Sequence, residues 1–174
     1  VSITENGELI LFIDSDNFIR RINSDGSGER VISNQEVWRS IALSPDGTKL
    51  AANTIGQDST IFIFDTEKPE QPKIIRLYSP TTQEDVRAFI VRFADVMDWD
   101  SQGRFLIYDA YNTISQGEGL TVAYWDMHVL DVENEIIFPL FQALPDGISI
   151  GNPSFAQTSD NIITFDLINA NEDQ

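Results

Sequence analysis

Ser44-Pro45-Asp46-Gly47-Thr48-Lys49-Leu50-Ala51-Ala52 decides how the rest of the chain is read. Apolar Ile41-Ala42-Leu43 precedes it, and Leu50-Ala51-Ala52 closes it. Proline presets φ at the second turn position, aspartate can bond its own backbone, and glycine takes positive φ without steric cost. Two short apolar runs around such a turn predict a β-hairpin.

The corner recurs. Thr4-Glu5-Asn6-Gly7 precedes Glu8–Asp14, and Trp99-Asp100-Ser101-Gln102-Gly103 precedes Arg104–Asp109. A weaker copy, Gln157-Thr158-Ser159-Asp160-Asn161, precedes Ile162–Asp166. From Gly7 to Gly47 is 40 residues, from Gly47 to Gly103 is 56, and Asp160 lies 57 further on. A unit near 40 residues with variable insertions predicts propeller blades, each a four-stranded sheet.

A second pattern follows each corner. Phe18–Asn23, Thr60–Asp65 and Tyr124–Asp131 each end in Asn or Asp. A turn and a short apolar run come next: Arg30-Val31-Ile32, Lys73–Leu77 and Glu135–Phe138. β-Branched and aromatic enrichment favours strands. The units expected are about 1–33, 37–77, 96–141 and 153–168, with an insertion at 78–95. Inside that insertion, Thr82 and Asp85 are spaced as a helix capping box, and Ala88–Phe93 also fits a strand; the strand or extended reading is preferred.

The hairpin Ser44–Ala51 and the stretch Asn23-Ser24-Asp25-Gly26-Ser27-Gly28 resemble the repeat of TolB-like, WD-repeat-like β-propellers. Unit one lacks the Ser-Pro pair, unit three reads Asp-Ser-Gln-Gly, and unit four lacks the glycine. The fold expected is all-β: a propeller segment of about three and a half four-stranded blades, incomplete or completed by a second chain. The resemblance implies a non-catalytic scaffold for protein–protein interaction in a bacterial envelope, periplasmic or extracellular. It extends to propellers that gate serine peptidases, where the catalytic domain would lie outside this chain. A Ca²⁺- or carbohydrate-binding propeller is the third reading.

Composition narrows the chemistry. The net charge is −17, and all 11 Lys and Arg lie at or before Arg104. Residues 105–174 hold 11 acids and no base. Such a chain repels phosphate backbones and anionic membranes, so neither nucleic acid nor membrane insertion is expected. A protein partner with a basic surface is. There is no cysteine, which removes disulfides and thiolate chemistry. No run of about 18 apolar residues occurs. The chain opens without Met inside the repeat pattern, which predicts a segment of a longer chain. Open end units predict self-association.

No nucleophile elbow, P-loop, dinucleotide fingerprint or H-E-x-x-H motif is present, so no catalytic residue, metal or cofactor is assigned. His128 falls in a third strand and is read as structural, and Trp38, Trp99 and Trp125 are read as packing between blades. Loops 14–17, 33–37, 53–59, 78–95, 110–119 and 142–152 are expected on one face, and the long ones to bind. The candidates are Asp14, Asp16 and Asn17 in one turn, and Asp109, Tyr111 and Asn112 at the matching place in unit three.

Overall fold

The computed structural model describes residues 1–80, 88–115, 121–141, 147–156 and 159–169. Among these there is no helix. The first sheet contains β1 (Ser2–Ile3), β2 (Leu9–Ile13), β3 (Ile19–Asn23) and β4 (Arg30–Ser33). The second contains β5 (Trp38–Leu43), β6 (Lys49–Thr54), β7 (Thr60–Asp65) and β8 (Lys68–Arg76). The third contains β9 (Ala88–Trp99), β10 (Phe105–Ser115), β11 (Thr121–Asp131) and β12 (Ile136–Pro139). The fourth has two described strands, β13 (Ile148–Ala156) and β14 (Ser159–Asn169). Every pair is antiparallel between sequence neighbours.

The corners explain this order. In the second sheet, Ser44 Oγ donates to Asp46 Oδ1 and accepts from the Lys49 amide, while Asp46 Oδ1 accepts from the Thr48 amide. Thr4 and Asn6 repeat the scheme with the amides of Leu9 and Glu8. At the third corner one carboxylate replaces the pair: Asp100 Oδ1 accepts from the amides of Arg104 and Phe105. The departure from Ser-Pro-Asp-Gly therefore keeps the same turn. Each corner leans on the next. The Glu5 amide donates to Pro45 O at 3.0 Å, and Lys49 Nζ donates to Gly103 O at 2.8 Å.

Alternation puts one row of each strand against the preceding sheet and the other against the following one. Leu50 and Ala52 join Leu11, Ile19, Trp38 and Phe64 between the first and second sheets. Ala51 joins Ile61, Trp99, Leu106, Tyr108 and Leu130 between the second and third. Two consecutive alanines fit because β6 is covered on both faces. Trp38 lies edge-on to Phe62 and Phe64, and Trp99 Nε1 donates to Ala42 O at 2.9 Å.

The stretch from Ala88 is strand, and 88–95 belongs to the third sheet's first strand rather than to a connecting insertion. The Thr82–Asp85 capping spacing lies outside the described residues, as do 116–120 and 142–146. β9, β10 and β11 have 12, 11 and 11 residues, against five in β2 and six in β6. The expected loop at 110–115 is thus strand, because the β10–β11 register continues to Ser115↔Thr121.

Gly47 has φ +76°, and a methyl group there would come within 2.9 Å of Thr4 Cγ2 and 3.3 Å of Leu9 Cδ2. Gly7 has φ +70° with nothing within 4 Å. Gly7→Ala should cost the backbone term alone, about 1–2 kcal/mol. Gly47→Ala should cost measurably more, the excess reporting corner stacking. Urea unfolding of both variants checks the difference.

Asp131 carries a second expectation. The Asn134 side-chain and backbone N–H groups bond its carboxylate, Arg104 adds a guanidinium at 3.0 Å, and together they pull its pKa down to about 2. Its unfolded value is near 3.9. The resulting stabilisation is present above that value and is lost as pH falls through about 2. Urea midpoints measured from pH 6 to 2 should fall less steeply below pH 4 in Asp131→Asn than in the wild type.

Candidate functional site

The six candidate residues do not form one site. Asp14, Asp16 and Asn17 sit in the β2–β3 turn of the first sheet. Asp14 Oδ1 accepts from the amides of Asp16 and Phe18, and its other oxygen pairs with Arg20 Nε. The Arg20 hydrogen bond, helped by these amides, holds the Asp14 carboxyl below its usual range. Asn17 takes the left-handed conformation, φ 60°. The turn and its arginine therefore occupy the Asp14 oxygens. Among the described residues, no three His, Asp or Glu side chains are grouped to hold a metal ion.

Asp109, Tyr111 and Asn112 lie within β10, not in a turn. Asp109 and Tyr111 point to one face and Asn112 to the other, as strand alternation requires. Asn112 is buried, and its Nδ2 donates to Ala110 O at 2.9 Å.

Asp109 closes the junction to the fourth sheet. Met97 pairs with Tyr108 and Ala94 with Ala110, so Asp95 and Val96 bulge opposite Asp109 alone. Asp109 Oδ1 accepts from Val96 N at 2.7 Å and Asp95 N at 3.3 Å. Its Oδ2 accepts from Asn152 N at 2.9 Å, across the junction. Asn152 lies at a matching bulge, between the pairs Gly151↔Asp166 and Ser154↔Thr164. Burial pushes the Asp109 carboxyl up, against the pull of these amides. Asp98 Oδ2 supports the same junction, accepting from Ser154 Oγ and Phe155 N.

Asn53 does this work one sheet earlier. Its Oδ1 accepts from Ser40 N beside the bulge at Arg39, and its Nδ2 donates to Ala94 O and Asp95 O. Asn53 follows Gly47 by six residues, and Asp109 follows Gly103 by six. That spacing was available in the sequence as a signal for both.

Tyr111 belongs to a different group. Its ring lies 5.4 Å from Phe93 and 5.2 Å from Trp125, and Phe93 lies 5.6 Å from Trp125. The three are cross-strand neighbours on β9, β10 and β11, and all are half-buried. The β5 bulge turns Arg39 toward them: its guanidinium sits 5.5 Å from the Phe93 ring centre and 2.9 Å from Asp95. Trp38 and Trp99 are buried core, as expected, whereas Trp125 belongs to this patch. At the opposite, corner end, a cavity of about 730 Å³ is walled by the first strands of all four sheets, including Ile41, Leu43, Met97, Trp99 and Phe155.

His128 is fully buried, edge-on to Tyr108 at 5.5 Å, with Asp126 Oδ2 3.6 Å from Nε2. Neither ring nitrogen has a hydrogen-bond partner among the described residues.

Successive antiparallel sheets, each begun by its innermost strand and keyed to the next, are the arrangement of propeller blades. Comparison with solved structures agrees. TolB from Acinetobacter baumannii superposes with a TM-score of 0.59 at 14% identity, over 98% of this chain and 40% of that one. The chain is a partial β-propeller with the TolB-like fold. An oligogalacturonate lyase in complex with manganese gives a TM-score of 0.63 at 11% identity, over 94% of this chain and 44% of that one. Dipeptidyl peptidase 4 from Porphyromonas gingivalis gives 0.53 at 12% identity, over 96% and 28%. The TolB-like segment thus spans less than half the length of each. No protein-family model matches it, and no curated protein matches it in sequence.

Asp109→Ala should leave three amides without their acceptor, at about 1–3 kcal/mol for each one that stays buried. We expect a loss of at least about 2 kcal/mol in urea unfolding, with faster hydrogen exchange at the Asn152 amide.

Proposed function

We propose that this propeller segment is a protein-binding scaffold with no chemistry of its own, and that its partner is basic and docks at the extended end of the third sheet. The observation that carries this reading is the Phe93–Tyr111–Trp125 patch. It lies on strands of 11 or 12 residues, against five or six in β2, β3, β5, β6 and β7, and outside both buried clusters. Half-exposed tyrosine and tryptophan beside an arginine are the side chains that most often anchor protein interfaces. The charge supports a cationic partner, since residues 105–174 carry 11 acids and no base. Electrostatic attraction of that kind speeds encounter more than it tightens the complex.

The likeness to a dipeptidyl peptidase supports a second reading, a propeller that serves a hydrolase domain elsewhere. Peptidase or lyase activity in the purified chain itself would contradict the scaffold reading.

The test compares capture by the wild-type chain with capture by a Tyr111→Ala/Trp125→Ala variant whose circular dichroism is unchanged. The captured protein is identified, produced pure and titrated calorimetrically at 50 and 300 mM salt. The expected result is at least tenfold weaker binding by the variant, and weaker binding of both at high salt. Equal affinity of variant and wild type would overturn the assignment of the patch.

A further inference from the structure

Two backbone bulges meet where the second sheet passes the third. On β5, Arg39 falls between the pairs Trp38↔Thr54 and Ser40↔Asn53. On β9, Asp95 and Val96 fall between Ala94↔Ala110 and Met97↔Tyr108. The Asp95 backbone is held from both sides. Its carbonyl accepts from Asn53 Nδ2 at 2.9 Å, and its amide donates to Asp109 Oδ1 at 3.3 Å. The Asp95 side chain is used by neither bond and is 30% exposed. Phe93 stands two residues earlier on the same strand, edge-on to Trp125 and tilted on Tyr111. A fixed carboxylate and a fixed ring therefore stand side by side.

Arg39 lies across the two. One Nη donates to Asp95 Oδ2 at 2.9 Å, and the guanidinium carbon is 5.5 Å from the Phe93 ring centre. A guanidinium carries five N–H donors. Among the described residues, Arg39 spends one of them, on Asp95. Its side chain is 34% exposed, and an ion pair that open contributes little to stability. A second arginine-on-ring pair in the chain is built differently. Arg104 stands 4.7 Å from the Phe105 ring centre and 3.0 Å from Asp131. The Asp131 carboxylate is 6% exposed and is also bonded by the backbone and side-chain N–H groups of Asn134. That carboxylate is committed to its turn. The Asp95 carboxylate has no second bond of this kind among the described residues.

We propose that Asp95 and Phe93 form a seat for an arginine side chain of the partner, and that Arg39 fills the seat in the free chain and yields it on docking. This deepens the reading of the aromatic patch above and rests on it. Arg39 shows by its own placement which chemistry the seat takes: a flat cation that meets a carboxylate at its edge and a ring at its face. Arginine does both, whereas the compact ammonium of lysine does not stack. Exchanging one guanidinium for another keeps the charge beside Asp95 unchanged, so the incoming group meets no unpaired carboxylate and leaves none behind. Side-chain rearrangement of that size is common where proteins dock.

The test uses a single guanidinium as probe, N-acetylarginine methylamide, with the lysine counterpart as control. Both are titrated against the wild-type chain, Arg39→Ala and Arg39→Ala/Asp95→Asn, and the amide resonances of Phe93, Asp95 and Trp125 are followed. The expected results are at least fivefold tighter binding of the arginine probe by Arg39→Ala than by the wild type, weaker binding of the lysine probe, and loss of the gain when Asp95→Asn is added. Equal binding by wild type and Arg39→Ala, no binding by Arg39→Ala, no preference over lysine, or a gain that survives Asp95→Asn would overturn the proposal. Tyr111 and Trp125 stay in place in all three chains. Failure here therefore leaves the patch itself standing, and failure of the Tyr111→Ala/Trp125→Ala comparison shows separately.

Discussion

One side-chain amide and one carboxylate hold this structure in register. Asn53 and Asp109 each stand in the second strand of a sheet, each satisfies a bulge in its own first strand, and each reaches the first strand of the following sheet. A bulge leaves backbone groups without ladder partners. Buried, those groups would be costly unless bonded. The same two residues remove that cost and fix how far one sheet slides along the next. Apolar packing alone is non-directional and tolerates sliding. The junctions are therefore apolar in their energy and polar in their geometry.

Legibility in the sequence followed distance along the chain. The corners were readable because their hydrogen bonds join residues two to five apart, as with Thr4 and Leu9 or Ser44 and Lys49. The four units and the all-β class came from those corners. The identity of the third corner was less plain, because Asp100 does alone what Ser44 and Asp46 do together. The candidate site was poorly legible for the opposite reason. Asp109 and Tyr111 looked like a turn of acid, aromatic and amide groups. Their roles depend on Asn152, Phe93 and Trp125, which lie 43, 18 and 14 residues away. Nothing local marks where a hairpin stops, so the run of β10 past residue 109 was hidden too. Asp14 was misleading in a different way, since a carboxylate in an Asx-type turn has the composition of a ligand and the bonds of a scaffold.

The architecture separates two ends. Corners, stacked glycines and the cavity lie at one end, where each sheet repeats its predecessor. Toward the other end the long strands β9, β10 and β11 of the third sheet carry the aromatic patch, and β13 and β14, of nine and 11 residues, share that greater length. A repeat fold can lengthen one pair of hairpins without disturbing the junctions beneath, since each sheet contacts mainly its sequence neighbours. That is how a regular scaffold acquires a local feature, and why the fold by itself assigns no partner.

His128 gives the molecule a built-in gauge. It is the sole imidazole in the chain, sealed on β11 against the Tyr108 ring in the layer between the second and third sheets. Its carbon-bound ring protons give two isolated proton resonances, displaced by the neighbouring phenol. A lasting parting of those two sheets would change the ring's surroundings and so move that pair of signals, without a label and without altering a single residue.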